Sequence, residues 1–143
     1  MLLDPQLAKD TVIVGRFPLS LVLLSRDANY PWCILVPQRE DIREIHQLTQ
    51  ADQQQLLIES STLSMAMEGL FQPFKMNVAA LGNMVPQLHV HHIARFQADP
   101  AWPKPVWGAV EPLDYHEPQL SERVSLLRGK LAKSGLTVDD HMI

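Results

Sequence analysis

The chain has 143 residues, 46% of them apolar and 20% charged, enough for one domain with its own core and without room for extended disorder. A net charge of −4 and a pI near 5.8 argue against extended nucleic-acid binding by phosphate neutralisation. No stretch reaches the roughly 18–20 apolar residues of a membrane span, Met1-Leu2-Leu3-Asp4-Pro5 does not read as a signal peptide, and the single cysteine cannot close an internal disulfide, so a cytoplasmic protein is expected.

Thr11-Val12-Ile13-Val14 predicts a first strand, broken by Gly15 with Pro18 just beyond. Leu19 to Leu24 predicts a second. Ser25-Arg26-Asp27-Ala28-Asn29-Tyr30-Pro31 is turn chemistry, and Cys33 to Val36 predicts a third strand, paired with the second as a hairpin. Cys33 itself reads as a small buried apolar residue. After Pro37 the period changes, and Arg39 to His46 fits a short helix turning Ile42 and Ile45 inward. Thr49 is a good N-cap, with Asp52 at the third helical position. Leu56, Leu63, Met67 and Leu70 then recur at helical spacing, and Gly69 and Pro73 end the helix; Met65 and Met67 read as helix packing.

Lys75 to Ala80 predicts a further strand, Leu81 to Pro86 a loop, and Gln87 to Arg95 a final strand. Five prolines between 100 and 118 require an ordered surface loop. Leu120, Val124, Leu127 and Leu131 mark a last amphipathic helix, over about 119–134, which Gly135 closes. The sum is an α+β domain over residues 1–143, with a core from about 10 to 110 and a C-terminal extension: a five-stranded antiparallel sheet, one long helix packed across it, and a second helix at the C-terminus. One face of that sheet is expected to be covered by helix and the other open.

The chemistry concentrates in Gln87-Leu88-His89-Val90-His91-His92-Ile93, which holds three of the six histidines. On a strand, Gln87, His89 and His91 share one side, and Leu88, Val90 and His92 the other. Imidazoles two residues apart stand only about 7 Å apart by rise, close enough to meet one phosphate together. Three readings fit this pattern. One is a solvated strand face. Another is a metal-dependent hydrolase with His89 and His91 as two ligands and His46 or His116 as a third. The last is nucleophilic catalysis by imidazole at phosphorus, because neutral imidazole is nucleophilic and its phosphoramidate is labile.

The run from Gln87 to Arg95 resembles the signature of the histidine triad (HIT) family, His-φ-His-φ-His-φ-φ. The likeness extends to Pro31-Trp32-Cys33-Ile34-Leu35-Val36-Pro37, to Asn77 followed by Gly82 and Asn83, and to Ala101-Trp102-Pro103-Lys104-Pro105-Val106-Trp107-Gly108, a tryptophan segment like that of a bacterial branch. It spans roughly residues 10–110. What it implies is a HIT-like fold, a homodimer, and hydrolysis or nucleotidyl transfer at the α-phosphate of a nucleotide such as a dinucleoside polyphosphate or nucleoside phosphoramidate. His89 would be the nucleophile of a covalent nucleotidyl-histidine intermediate, with His91 at the phosphate oxygens or the leaving group. Gly82, Asn83 and Asn77 would hold the phosphate, and no metal or cofactor is called for. The alternative is a nucleotide-binding module with weak or lost catalysis.

The chain departs from that pattern in three places. Gln87 stands at the first histidine position, where it can hydrogen-bond in the site but carries no titrating proton. His92 replaces an apolar residue and is expected as a satisfied buried histidine. Met84 takes a loop position where some members have a hydroxyl. Asp27 is a candidate for ribose hydroxyls, with Asn29 behind it, although an Asx turn explains both. Trp102 is a candidate substrate contact, and Trp107 a cover for the site or an interface residue. Arg95 reads as a solvated strand-end charge, and His46 and His116 as surface residues.

Overall fold

The computed structural model describes residues 1–142. Three α-helices and five strands follow in the order α1 (Pro5–Asp10), β1 (Thr11–Arg16), β2 (Ser20–Ser25), β3 (Trp32–Pro37), α2 (Gln50–Phe71), β4 (Lys75–Ala79), β5 (Val90–Arg95) and α3 (Gln119–Leu131). The strands form one antiparallel sheet in the order β1-β2-β3-β5-β4. The α+β architecture expected from the periodicities is therefore the observed one.

Local chemistry explains most boundaries. Thr49 caps α2, its Oγ1 accepting from the Asp52 amide at 3.1 Å, and the helix runs through Gly69 to end on Gln72 in the left-handed region. Leu56, Leu63 and Met67 on α2 and Val124, Leu127 and Leu131 on α3 meet Leu24, Cys33, Leu35, Val90 and Ala94 from the sheet. Each such aliphatic side chain contributes roughly 1.5–3 kcal/mol by leaving water. Of the two neighbouring methionines only Met67 packs; Met65 is exposed.

Four features depart from what the sequence predicts. Gly15 does not break the first strand but lies in it, at a bulge between Ile13 and Gly15. A Cβ there would fall 2.8 Å from the Thr137 carbonyl and from Leu136, so the glycine lets residues 136–137 pair against Arg16. Residues 39–46 form no α-helix. The chain turns at Glu40-Asp41, with Asp41 at φ 56°, and makes one 3₁₀ turn over Ile45–Gln47 that leaves Ile45 exposed. A capped helix, α1, precedes the first strand, Asp4 accepting from the Gln6 amide at 2.8 Å with Pro5 in the first turn.

The fourth correction concerns the sheet face turned away from α2 and α3, which is not open. Leu7 of α1 with Leu3, and Val85 from the loop before β5, pack there on Leu21, Leu23, Ile34 and Val36. Ala101 and Val106 of the proline-rich segment bury Tyr30 and Ile93 beside them. No helix among the described residues is long and apolar enough to cross a membrane.

Candidate active site

Strand β5 begins at Val90, so side chains alternate from there: His92 turns toward α2, while His91, Ile93 and Arg95 face the other side. His92 is fully buried. A carbonyl can only accept, so Nδ1–H donates to the Val90 oxygen at 3.0 Å, and Nε2 accepts from the Ser60 hydroxyl of α2 at 2.7 Å. Burial pushes its pKa down to about 4, against the opposing pull of the Val90 carbonyl. It is a neutral core histidine with both ring nitrogens satisfied, as its core-side position predicts.

His89 lies just before β5. Its Nδ1–H donates to the Gln87 carbonyl at 2.8 Å, which leaves Nε2 with a free lone pair. The ring is 6% exposed, and it lines a cleft of about 310 Å³ together with Gly82, Arg43 and His46. Gly82 adopts φ +78°, a conformation that lets the loop backbone turn at the cleft edge.

His91 is held by a residue the sequence did not single out. The Trp32 indole donates from Nε1 to His91 Nδ1 at 2.9 Å, along the diagonal between adjacent strands β3 and β5. Because indole has no acceptor, the neutral His91 ring carries its proton on Nε2. Burial, with the neighbouring His89 and His92 adding to it, pushes the His91 pKa down to about 3. The ring centroids of His89, Trp107 and Trp32 lie 4.9, 5.0 and 5.5 Å from that of His91. The two histidines thus present complementary nitrogens: a lone pair on one and an N–H on the other.

The segment that carries Trp107 is anchored by buried charge. Arg95 is 1% exposed, not solvated as a strand-end arginine suggests; it grips Asp99 through two bonds of 2.8 and 3.1 Å. Its third bond, at 2.8 Å, goes to Asn77 Oδ1, and its guanidinium lies over the Tyr30 and Trp102 rings. Burial works against a charged Asp99, but hydrogen bonds from Arg95 and from the Phe96 and Ala101 amides outweigh it and hold the carboxyl below its ordinary range.

A profile of the HIT domain matches residues 6–98. The chain belongs to the histidine triad family. Solved histidine triad proteins of Bradyrhizobium japonicum (48% identity, TM-score 0.89, covering 90% of this chain and 96% of that one) and Marinobacter aquaeolei (52%, 0.89, 92% and 96%) superpose on it. A third, from Sinorhizobium meliloti, does so at 38% identity and TM-score 0.88, covering 91% and 96%. No curated protein matches the sequence significantly. The histidine triad family includes nucleotide hydrolases and transferases.

Within this histidine triad fold the other singled-out residues fall in different places. The Gln87 side chain hydrogen-bonds the N-terminal segment, which packs on the same sheet face that His91 and Ile34 take. Its Oε1 accepts from the Asp4 amide at 2.8 Å and its Nε2 donates to the Leu2 carbonyl at 3.2 Å. The hydrogen bond between His89 and Gln87 goes to the Gln87 backbone carbonyl. Asn83 and Met84 are exposed beside Gly82, and Asn77 pairs with Ile93 on β5.

Asp27 sits at the other end of the sheet from His89. The β3–β5 register sets Trp32 opposite Ile93 and Leu35 opposite Val90, so the turn before Trp32 lies beyond the Arg95 end. There Asp27 Oδ1 accepts from the Asn29 amide at 3.0 Å and the Leu113 amide at 3.2 Å, while Asn29 Nδ2 donates to the Glu111 carbonyl at 2.9 Å. Trp102 packs on Phe74, centroids 5.4 Å apart, so Trp107 is the tryptophan beside the triad. His46 is exposed but lines the His89 cleft; among the described residues no three His, Cys, Asp or Glu side chains group as a metal site.

Sequence reasoning missed Trp32 as the partner of His91 and Arg43 as a cleft residue, and it read His46 as a surface residue or third metal ligand and not as a wall of the cleft. The signal for Trp32 was present, a hydrogen-bond donor in an otherwise aliphatic strand. For Arg43 and His46 only the tertiary fold brings their loop to His89.

Proposed function

We propose that this protein cleaves or transfers at the α-phosphate of a nucleotide through a covalent nucleotidyl-His89 intermediate. The observation that carries the reading is the tautomer of His89, with Nδ1–H tied to the Gln87 carbonyl and the Nε2 lone pair left for a cleft shared with Gly82. Nε2 attacks phosphorus, an Nε2–P bond forms, and the bond to the leaving group breaks with its electron pair departing on that group. The Nε2–H of His91 donates a hydrogen bond to the oxygen on which charge develops, and it costs little reorganisation because Trp32 already fixes the ring. Water then attacks phosphorus and restores the imidazole; an acceptor alcohol or phosphate in its place makes the step a transfer.

Rapid quench with labelled nucleotide tests this directly. Acid-labile label on the wild type, lost together with turnover in His89→Ala, is the expected result; turnover that survives His89→Ala overturns the reading. A second reading, a nucleotide-binding module with weak catalysis, is favoured by Gln87, whose side chain is committed to residues 2 and 4 and supplies no donor to the centre. It predicts nucleotide binding without label. A metal-dependent hydrolase would instead lose activity on chelation and dialysis.

The remaining assignments belong to the same reading. Gly82 with Asn83 forms the phosphate edge, whereas Asn77, Asp27 and Trp102 act in the scaffold that fixes the 96–113 segment. A homodimer is supported by the unpaired edge of β4, where Val78 is half exposed, and by exposed Leu57 and Met65 on α2. Light scattering expects a dimer that Val78→Lys dissociates. The buried lone Cys33, its thiol pushed up to about 12 by burial, suits a cytoplasmic protein.

A further inference from the structure

The His89 cleft has a second wall. The Leu88 amide donates to the Ile42 carbonyl at 2.9 Å, so the 42–46 segment hangs directly on the chain that carries the histidine. Gln47 Oε1 accepts from the Arg43 and Glu44 amides at 2.9 and 3.0 Å and fixes the segment's shape. Arg43, Glu44 and His46 line the cleft from this wall, and all three are exposed. The ion pairs among the described residues are Arg16–Asp139, Arg39–Asp52 and Arg95–Asp99; Arg43 makes none, not even with Glu44 beside it.

Displacement at phosphorus proceeds in line, so the departing group lies on the far side of phosphorus from the attacking nitrogen. His89 lines one wall of the cleft and Arg43, Glu44 and His46 another, so this second wall is the protein surface available to a group that departs inside the cleft. Resting on the reading above, we propose that the 43–46 segment is the leaving-group subsite and that it selects an anionic, phosphate-bearing leaving group over a neutral amine. Arg43 supplies a fixed positive charge and His46 a ring N–H to phosphate oxygens, while Glu44 sets an upper limit on how much negative charge the subsite accepts.

The test compares two substrates, a diadenosine polyphosphate and adenosine 5′-phosphoramidate, in the wild type and in Arg43→Gln, His46→Gln and Glu44→Gln. The readout is the ratio of their kcat/KM values, with label on His89 followed in parallel. Arg43→Gln is expected to lower the preference for the polyphosphate about tenfold, His46→Gln less, and Glu44→Gln to raise it. Arg43→Lys, which keeps the charge, should recover most of the loss. A ratio unchanged in all variants, while His89 still takes up label, overturns the subsite and leaves the nucleophile standing. Absence of label from both substrates in the wild type overturns the nucleophile and the subsite with it.

Discussion

Replacing Trp32 by Phe isolates the one hydrogen bond that sets the His91 tautomer. Phenylalanine keeps an aromatic ring near His91 and Trp107, whose centroids lie 5.5 and 5.8 Å from the indole, and removes the Nε1–H donor together with part of the ring volume. Two costs follow. A buried acceptor that loses its partner costs about 1–3 kcal/mol of stability, because His91 Nδ1 is 2.9 Å from that donor and the ring is 7% exposed. The neutral ring is then free to move its proton to Nδ1, which turns the Nε2 lone pair toward the phosphate. Losing a donor at developing charge lowers the rate of nucleotidyl-His89 formation by about 10- to 100-fold, or roughly 1.4–2.7 kcal/mol. Nitrogen chemical shifts of labelled histidine read the tautomer, and rapid quench reads the rate. A variant that retains the Nε2–H form of His91 and still forms the intermediate within twofold of wild type would refute the reasoning.

Acid should destabilise the fold before the carboxylates titrate. Unfolded histidines protonate below about 6.5, whereas folded His91 and His92 stay neutral to about 3 and about 4. Their contribution is thus complete above pH 6.5 and is lost as pH falls, by about 4 kcal/mol for the pair at pH 5. Denaturant titrations across that window check this, and His92→Leu should reduce the slope by one proton. Arg95→Met leaves the Asp99 carboxylate buried without its partner and should cost about 3–5 kcal/mol in the same assay; a loss below 1 kcal/mol refutes the anchoring role. Gly82→Ala forces a side chain into φ +78° with its Cβ 3.2 Å from the Val85 carbonyl. It is expected to cost roughly 1–2 kcal/mol and to raise KM for nucleotide more than it lowers kcat.

The sequence carried the sheet and its two large helices, because apolar periodicity reports which face of an element is buried. Leu56, Leu63 and Met67 announced α2 whatever they packed against. The separation of the buried histidine from the candidate ones was equally visible, since alternation within β5 turns His91 away from the core side that His92 takes. What escaped was decided by partners distant in sequence. Arg95 looked like a free charge because Asn77 and Tyr30, far away in sequence, join Asp99 and Trp102 around it only in the fold. Gly15 looked like a strand breaker because the residues that need its missing Cβ arrive from positions 136–137. Gln87 looked like a side chain of the site because nothing local reveals that Asp4 and Leu2, 83 and 85 residues away, take up its hydrogen-bonding groups.

Two of the three tryptophans, Trp32 and Trp107, flank His91, while Trp102 stacks elsewhere. Indole emission responds to the polarity and charge of its immediate surroundings, so a nucleotide bound at the adjacent His89, as proposed, is expected to alter the intrinsic fluorescence of the unlabelled protein. Stopped-flow emission can therefore time each turnover optically, and Trp107→Phe assigns the signal to one ring.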